Sequence, residues 1–354
     1  MALAEGGVAR MHAHRRSDPQ QAMRLRVLRH RKLGMVACAG YAVAMIDAPV
    51  SAVPMQHPAT SPGIALLFGG SGQIGEPLLQ GLLAAGWQVH AYSRTAQPAR
   101  PGLHWHSGEL GTLSMPPSPV DVVFSCGPLD AFADWYRRVP MQAPRVVAFG
   151  STSLEVKRDS LDTAERDVAR RLREAEATLF AVAAERGAAA TVLRPTLVYG
   201  AGRDRTLSAI AALARRSGCF VLPRSACGLR QPVHVQDLAD AALAVLASAA
   251  THGKSYALGG GETLRYRDMV RRVLAVLQPP ARLLLLPHAV FALLLALAHA
   301  CGRLRGMNRA ALQRMREDLV FDLAPALRDF GYAPRVFAPD AAMLGVTPAD
   351  AVPQ

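Results

Sequence analysis

The sequence predicts an α/β chain: a doubly wound parallel sheet followed by a smaller C-terminal lobe. Two observations predict it. Short, continuous apolar runs such as Ile64–Phe68 and Arg145–Phe149 alternate with longer stretches of helical spacing, the pattern of strands buried between two layers of helix. That rhythm runs from Gly63 to about Gly200 and then loosens, which separates a sheet-forming part from a lobe woven from later chain.

In order, the expected strands are Ile64–Phe68, Trp87–Tyr92, Leu103–Trp105, Val120–Ser125, Arg145–Phe149 and Ala190–Leu193. Between the first two, Ile74, Leu78, Leu79, Leu82 and Leu83 recur at helical spacing over Ile74–Ala85. The third and fourth are joined by about a dozen residues rich in proline and glycine, and Leu129–Arg138 holds barely three turns, so the sheet is trimmed. A long helix is expected over Ala164–Arg186, and a later one over Leu238–Ala247 with Asp237 as its cap. The expected divisions are a leader over residues 1–60, a sheet-forming domain over 61–200 and a lobe over 201–345 with segments returning to the sheet.

The leader is basic, then briefly apolar over Met35–Ile46, then rich in proline and alanine. It reads either as a secretory signal or as a disordered or over-long start with Met55 as initiator; the arginine-rich stretch is too long for a usual signal, which favours the second. Six of the thirteen net positive charges lie in residues 1–34, and the remaining arginines are scattered without interleaved aromatics. Nucleic acid is therefore not an expected partner. Five cysteines without CxxC spacing fit reduced thiols in the cytoplasm, and the histidines form no HExxH or similar pair beside them, so no metal site is expected. Only three of the 40 basic residues are lysine (Lys32, Lys157, Lys254), an arginine bias typical of a GC-rich bacterial genome.

The chemistry starts at FGGSGQIG, where Gly69, Gly72 and Gly75 follow a strand and open a helix. In that context a glycine triplet is a dinucleotide-binding Rossmann turn. Gly69 permits the tight turn, Gly72 lets the backbone approach a pyrophosphate, and Gly75 lets the helix lie close, with Gln73 and Ile74 between them. The helix start offers free N–H groups to the phosphates. At the end of the second strand stands Ser93-Arg94, where an NAD-preferring chain would carry an acid. An arginine there can pair a 2′-phosphate, so NADP is favoured, with NAD the alternative. Glu109 stands where an acid meets the adenine, and Ser125, Cys126 and Gly127 where a chain lies against the nicotinamide ribose.

From Gly63 to about Pro339 the chain resembles the extended short-chain dehydrogenase/reductase family, the NAD-dependent epimerases and dehydratases of nucleotide sugars. The resemblance rests on GGSGQIG, FGSTS, LRPTLVYGAG, RQPVHVQDLA and YALGGGETL, in order. It implies that Thr152, beside Ser151 and Ser153, brings a hydroxyl to the reacting carbon. It also implies that Arg230 meets a substrate diphosphate and that Tyr199 and His234 border the substrate. An arginine capping the lobe interface and a packed histidine are the structural alternatives for Arg230 and His234.

The chain departs from the family at its catalytic helix. The family's Tyr-x-x-x-Lys pair falls, aligned by Ala175-Glu176, at Val168 and Leu172, and none of the seven tyrosines has a lysine four residues on. Arg170, Arg171 and Arg173 supply charge there, but an arginine does not release a proton at ordinary pH. Two functions follow as expectations: an oxidoreductase or epimerase of a nucleotide-linked sugar or similar carbonyl compound with relocated acid–base groups, or a cofactor-binding assembly or sensor protein without turnover. The apolar stretch Arg282–Cys301, broken at Pro287 and His288, is too short to span a bilayer comfortably. It reads as a buried helix, a homodimer face, or a membrane-surface helix over residues 283–300 serving a lipid-like substrate at the inner face of the membrane.

Overall fold

In the computed structural model the described residues are 62–113, 119–300 and 309–346; the leader, Met55, Cys38 and Cys301 lie outside them. Seven parallel strands form the sheet: β1 (Ile64–Phe68), β2 (Gln88–Ser93), β3 (Leu103–Ser107), β4 (Val122–Ser125), β5 (Arg145–Phe149), β6 (Ala189–Pro195) and β11 (Lys254–Leu258). Their spatial order is β11-β6-β5-β4-β1-β2-β3, each neighbour parallel. This is the expected Rossmann-type doubly wound arrangement with a seventh strand added. The small ladders are β7 (Val198–Tyr199) with β10 (Val233–His234), β9 (Leu229–Arg230) with β12 (Leu264–Arg265), and β8 (Cys219–Pro223) with β13 (Arg282–Leu286).

Helices cover both faces. They are α1 (Gly75–Ala84), α2 (Leu129–Arg138), α3 (Ser153–Val156), α4 (Thr163–Glu185), α5 (Leu207–Ser217), α6 (Val235–Ala244), α7 (Tyr266–Ala275), α8 (His288–Ala300), α9 (Arg309–Arg314) and α10 (Ala324–Phe330). On one face Leu78, Leu79 and Leu82 of α1 and Leu238, Ala239, Ala241 and Ala242 of α6 pack on β1, β2 and β4. On the other, α2 and α4 bury Phe132, Trp135, Tyr136, Leu179 and Val182 against Leu66, Phe68, Val146 and Val192. Each such leucine contributes roughly 1.5–3 kcal/mol on leaving water. The long α4 starts where Asp162 Oδ1 accepts the Ala164 N–H at 2.9 Å.

The buried end of β5 carries Arg145, whose guanidinium donates to the Ala189 and Val245 carbonyls and the Thr191 and Thr251 hydroxyls at 2.7–3.1 Å. Burial lowers its pKa to about 10, still high enough for it to stay charged at neutral pH. The later chain returns as β11, and Asp329 at the end of α10 accepts from Lys254 Nζ at 2.9 Å and the Tyr256 hydroxyl at 2.7 Å. A third apolar cluster gathers Leu207, Ile210 and Ala211 of α5, Phe220 and Leu222 of β8, and Met269, Val270 and Val273 of α7.

Two expectations need correction. The apolar stretch is not one helix. Arg282–Leu286 pairs in register with Cys219–Pro223 as a strand, and Pro287 breaks the chain before α8 begins. Nor is α8 buried: Val290, Leu293, Leu294 and Leu297 are exposed, while Phe291 is among the buried core. Among the described residues no helix is long and apolar enough to cross a membrane. The other correction concerns Asp237, which does not cap α6. That cap is His234, whose Nδ1 accepts the Gln236 N–H at 3.1 Å, while Asp237 sits in the first turn and takes Arg335 Nε at 2.6 Å.

Candidate functional site

In an open parallel sheet the crevice lies at the carboxyl ends of the strands where their order reverses, here between β1 and β4. The glycine turn fills that point. Gly69 leaves β1 at φ +75°, and a Cβ on it would come within 3.0 Å of the Cys126 carbonyl carbon and 3.1 Å of the Gly127 nitrogen. The Gly72 N–H closes the turn on the Gly69 carbonyl at 2.9 Å. A Cβ at Gly75 would lie 2.0 Å from that same oxygen, so only hydrogen fits.

Two buried polar atoms flank the turn without partners: Gln73 Oε1 and, at the end of β4, Ser125 Oγ. Buried polar groups are almost always satisfied; the Gln73 oxygen needs a donor and the Ser125 hydroxyl can give or accept, so the pair fits a ligand that carries hydroxyls, such as a ribose, beside phosphates at the helix start. Arg94 follows β2 and is exposed. The Ser93 hydroxyl accepts from the Thr95 N–H at 3.2 Å and Gln97 Nε2 at 3.3 Å, turning the chain there. Glu109 is exposed in the turn after β3, where its carbonyl accepts from the Thr112 and Leu113 amides.

Beyond β5 the chain enters α3 and forms one wall of a cavity of about 510 Å³, lined by Gln73, Thr152, Ser153, Lys157, Arg203 and Arg205 among others. The Thr152 hydroxyl is committed, donating to the Pro195 carbonyl at 3.2 Å. Ser153 lines the cavity and its amide donates to Ser151 Oγ at 3.1 Å. One turn on, the Lys157 amide donates to the Ser153 carbonyl at 3.0 Å, which sets both side chains on one face. Opposite, Arg203 donates to the Ser71 carbonyl at 2.9 Å and ties the later chain to the glycine turn. Neither Lys157 nor Arg205 has an ion pair or side-chain hydrogen bond among the described residues. Sequence reasoning missed Lys157. Its signal was being the only lysine between Lys32 and Lys254, at i+4 from Ser153.

The residues expected to meet the substrate sit differently. Arg230 touches the cavity, but its guanidinium donates to the carbonyls of Leu229 at 2.7 Å, Glu317 at 2.8 Å and Arg314, over the Tyr266 ring. That is the capping role, and burial pulls its pKa down. Tyr199 is 1% exposed and stacks edge-on to His234 at 5.2 Å and Phe337 at 4.9 Å. A Cβ at Gly200, φ +115°, would lie 2.5 Å from the His234 ring. Burial, with Arg335 nearby, pushes the His234 pKa down to about 4, so the ring is neutral and its Nε2 is buried without a partner. Neither Tyr199 nor His234 lines the cavity.

The catalytic-helix positions are accounted for by packing and pairing. Leu172 packs against the core under α4. Arg170 pairs with Asp167 and Glu174, Arg171 with Asp130 and Asp167, and Arg173 Nε donates to the Ala169 carbonyl. None of the three lines the cavity. Buried Glu176 accepts from Arg194 Nε at 2.7 Å and from Nη2, and Arg194 Nη1 reaches Glu155 at 3.0 Å, which locks α4 to β6 and α3.

Residues 169–259 match the model of the NAD dependent epimerase/dehydratase family. A curated relative, the 2-alkyl-3-oxoalkanoate reductase of Stenotrophomonas maltophilia (strain K279a), is 25% identical over 317 residues, 77% of this chain and 94% of that protein. Among solved structures, an epimerase of Methanothermobacter thermautotrophicus aligns with TM-score 0.59 and 15% identity over 80% of this chain and 90% of its own. MoeE5, solved with UDP-glucuronic acid and NAD, aligns with TM-score 0.58 and 17% identity over 80% of this chain and 97% of its own. The Bordetella bronchiseptica enzyme WbmF, solved with NADH, aligns with TM-score 0.57 and 15% identity over 80% and 91%. The family resemblance read from the sequence is borne out, and the solved structures share the fold.

Proposed function

We propose that this chain, which resembles the NAD-dependent epimerase/dehydratase family, is an NADP-preferring oxidoreductase or epimerase acting on the carbonyl or alcohol of a substrate in the cavity beside Ser153. Residues 61–200 bind the cofactor and residues 201–345 most of the substrate, in the cytoplasm. The observation that carries this reading is the juxtaposition of a glycine cradle flanked by two orphaned polar atoms with a cavity whose wall bears a hydroxyl and an unpaired ammonium. Gly69, Gly72, Gln73, Ile74 and Gly75 would hold the pyrophosphate, Arg94 a 2′-phosphate, Glu109 the adenine side, and Ser125, Cys126 and Gly127 the nicotinamide ribose.

The bound nicotinamide supplies or takes the hydride. The protein has to handle the proton at the substrate oxygen. Tyr199 and His234 lie off the cavity and the Thr152 hydroxyl is held by Pro195. Ser153 orients the oxygen, and Lys157 donates the proton from its ammonium as a carbonyl becomes an alcohol, or removes it in reverse. Arg230 supports the wall.

Two substrate classes have support: nucleotide-linked sugars, from the neighbour solved with UDP-glucuronic acid, and 2-alkyl-3-oxo acids, from the curated relative's activity. The missing Tyr-x-x-x-Lys pair supports a reading without turnover. Hydride transfer from labelled NADPH to panels of both classes tests all three. Turnover that falls at least a hundredfold in Lys157→Met, with NADPH affinity unchanged, is expected. Tight NADPH binding with no transfer to any compound would favour the non-catalytic reading.

A further inference from the structure

A second cavity, of about 430 Å³, opens beside the first and shares with it Leu197, Arg205, Thr206, Arg230, Arg314 and Leu319. Its own walls are apolar. Helix α5 turns Ala209, Ile210 and Leu213 toward it, at the spacing of one helix stripe starting from Thr206. Phe220 of β8 and Met315 just past α9 close the other sides. Ile210 is buried in the third apolar cluster, while Leu213 is 48% exposed, so the chamber runs from a core-packed base to an apolar rim open to solvent.

The junction between the two cavities differs in character. Arg314 is neutralised by Glu165, and Arg230 is bound to main-chain carbonyls. Arg205 is exposed at the border and has no ion-pair partner among the described residues. A nucleobase needs donors and acceptors along its edge, whereas this chamber offers it mostly methyl, methylene and ring surface.

We propose that the second cavity holds the aliphatic chain of the substrate, with Arg205 at its mouth pairing the carboxylate and the reacting carbonyl reaching toward Ser153 and Lys157. The substrate class is then an alkyl-chain oxo acid and not a nucleotide sugar. This rests on the oxidoreductase reading only for the reacting carbonyl; the chain site stands on the cavity itself.

The test is calorimetry on the full chain saturated with NADP⁺, using straight-chain carboxylates from hexanoate to dodecanoate below their micelle concentrations, with UDP as competitor class. Affinity should rise about three- to fourfold per added methylene until the chamber is filled. Leu213→Asp, at a half-exposed position that leaves the fold intact, should flatten that series, and Arg205→Leu should weaken every member at least fivefold without changing the slope. Binding independent of chain length, or a chain-length series unchanged by Leu213→Asp, overturns the proposal, as does UDP binding more tightly than any carboxylate. If NADP⁺ does not bind, the oxidoreductase reading fails and the same series, run on the free chain, still decides the chain site.

Discussion

Placing a methyl group at Gly75 is the sharpest perturbation of the cofactor turn. The added Cβ would stand 2.0 Å from the Gly69 oxygen, 2.7 Å from its carbonyl carbon and 2.8 Å from the Gly70 Cα, all backbone. Ordinary non-bonded contact is roughly 3.5 Å, so the turn must retreat by about 1.5 Å from the helix start. A pyrophosphate held by backbone amides loses one or two charge-assisted hydrogen bonds at that displacement, each worth roughly 1.5–3 kcal/mol. That corresponds to a loss of about tenfold to more than a hundredfold in NADPH affinity. Fluorescence titration of Gly75→Ala measures it. The control is Gly111→Ala, where the Cβ meets nothing within 4 Å, and a thermal melt of each variant confirms that the sheet is intact. An NADPH dissociation constant within twofold of the parent, in a folded Gly75→Ala protein, would refute the reasoning.

Three further outcomes are expected. Arg145→Met strips the buried hydrogen-bond hub at the amino end of β5 and should cost about 3 kcal/mol, a melting-point drop of roughly 5–10 °C, with NADPH affinity unchanged; an unaltered melt would contradict it. His234 has a folded pKa lowered to about 4, so the unfolded chain takes its proton first, near pH 6.5. Stability from this group is complete above pH 6.5 and is lost as pH falls toward about 4, by up to about 3 kcal/mol; His234→Asn keeps an acceptor at the cap and should flatten that part of urea melts run from pH 7 to 5, and equal slopes would count against it. Arg94→Asp should weaken NADPH binding at least tenfold while leaving NADH binding unchanged or tighter, read by paired titrations; equal losses for both nucleotides would remove the 2′-phosphate role.

The sheet was legible because its strands are buried on both faces and therefore appear as unbroken apolar runs; β1 and β5 match their expected spans and the others shift by a residue or two. The seventh strand was not, because Lys254–Leu258 lies at the sheet edge, begins with an exposed lysine and alternates in burial, so it gives no unbroken apolar run. Residues 282–286 misled for a related reason: a leucine run has no period that separates strand from helix, and the partner strand that decides it lies about sixty residues earlier in sequence. At the site, local motifs carried over well: the glycine turn shows the positive φ and the close packing that its spacing demands. What the sequence left open or missed depends on the third dimension. The Arg314 and Glu317 carbonyls that hold the Arg230 guanidinium, and the Arg335 partner that takes Asp237 from the cap position, lie about 90 residues further on.

The most direct test of the central claim is a crystal soaked in NADPH. Density for a pyrophosphate over the amides of Gly72–Gly75, with the Gln73 and Ser125 side chains engaged and the nicotinamide directed toward Ser153 and Lys157, is the predicted result. A crevice still blocked by its own side chains at saturating nucleotide, or nucleotide bound elsewhere on the protein, would contradict it.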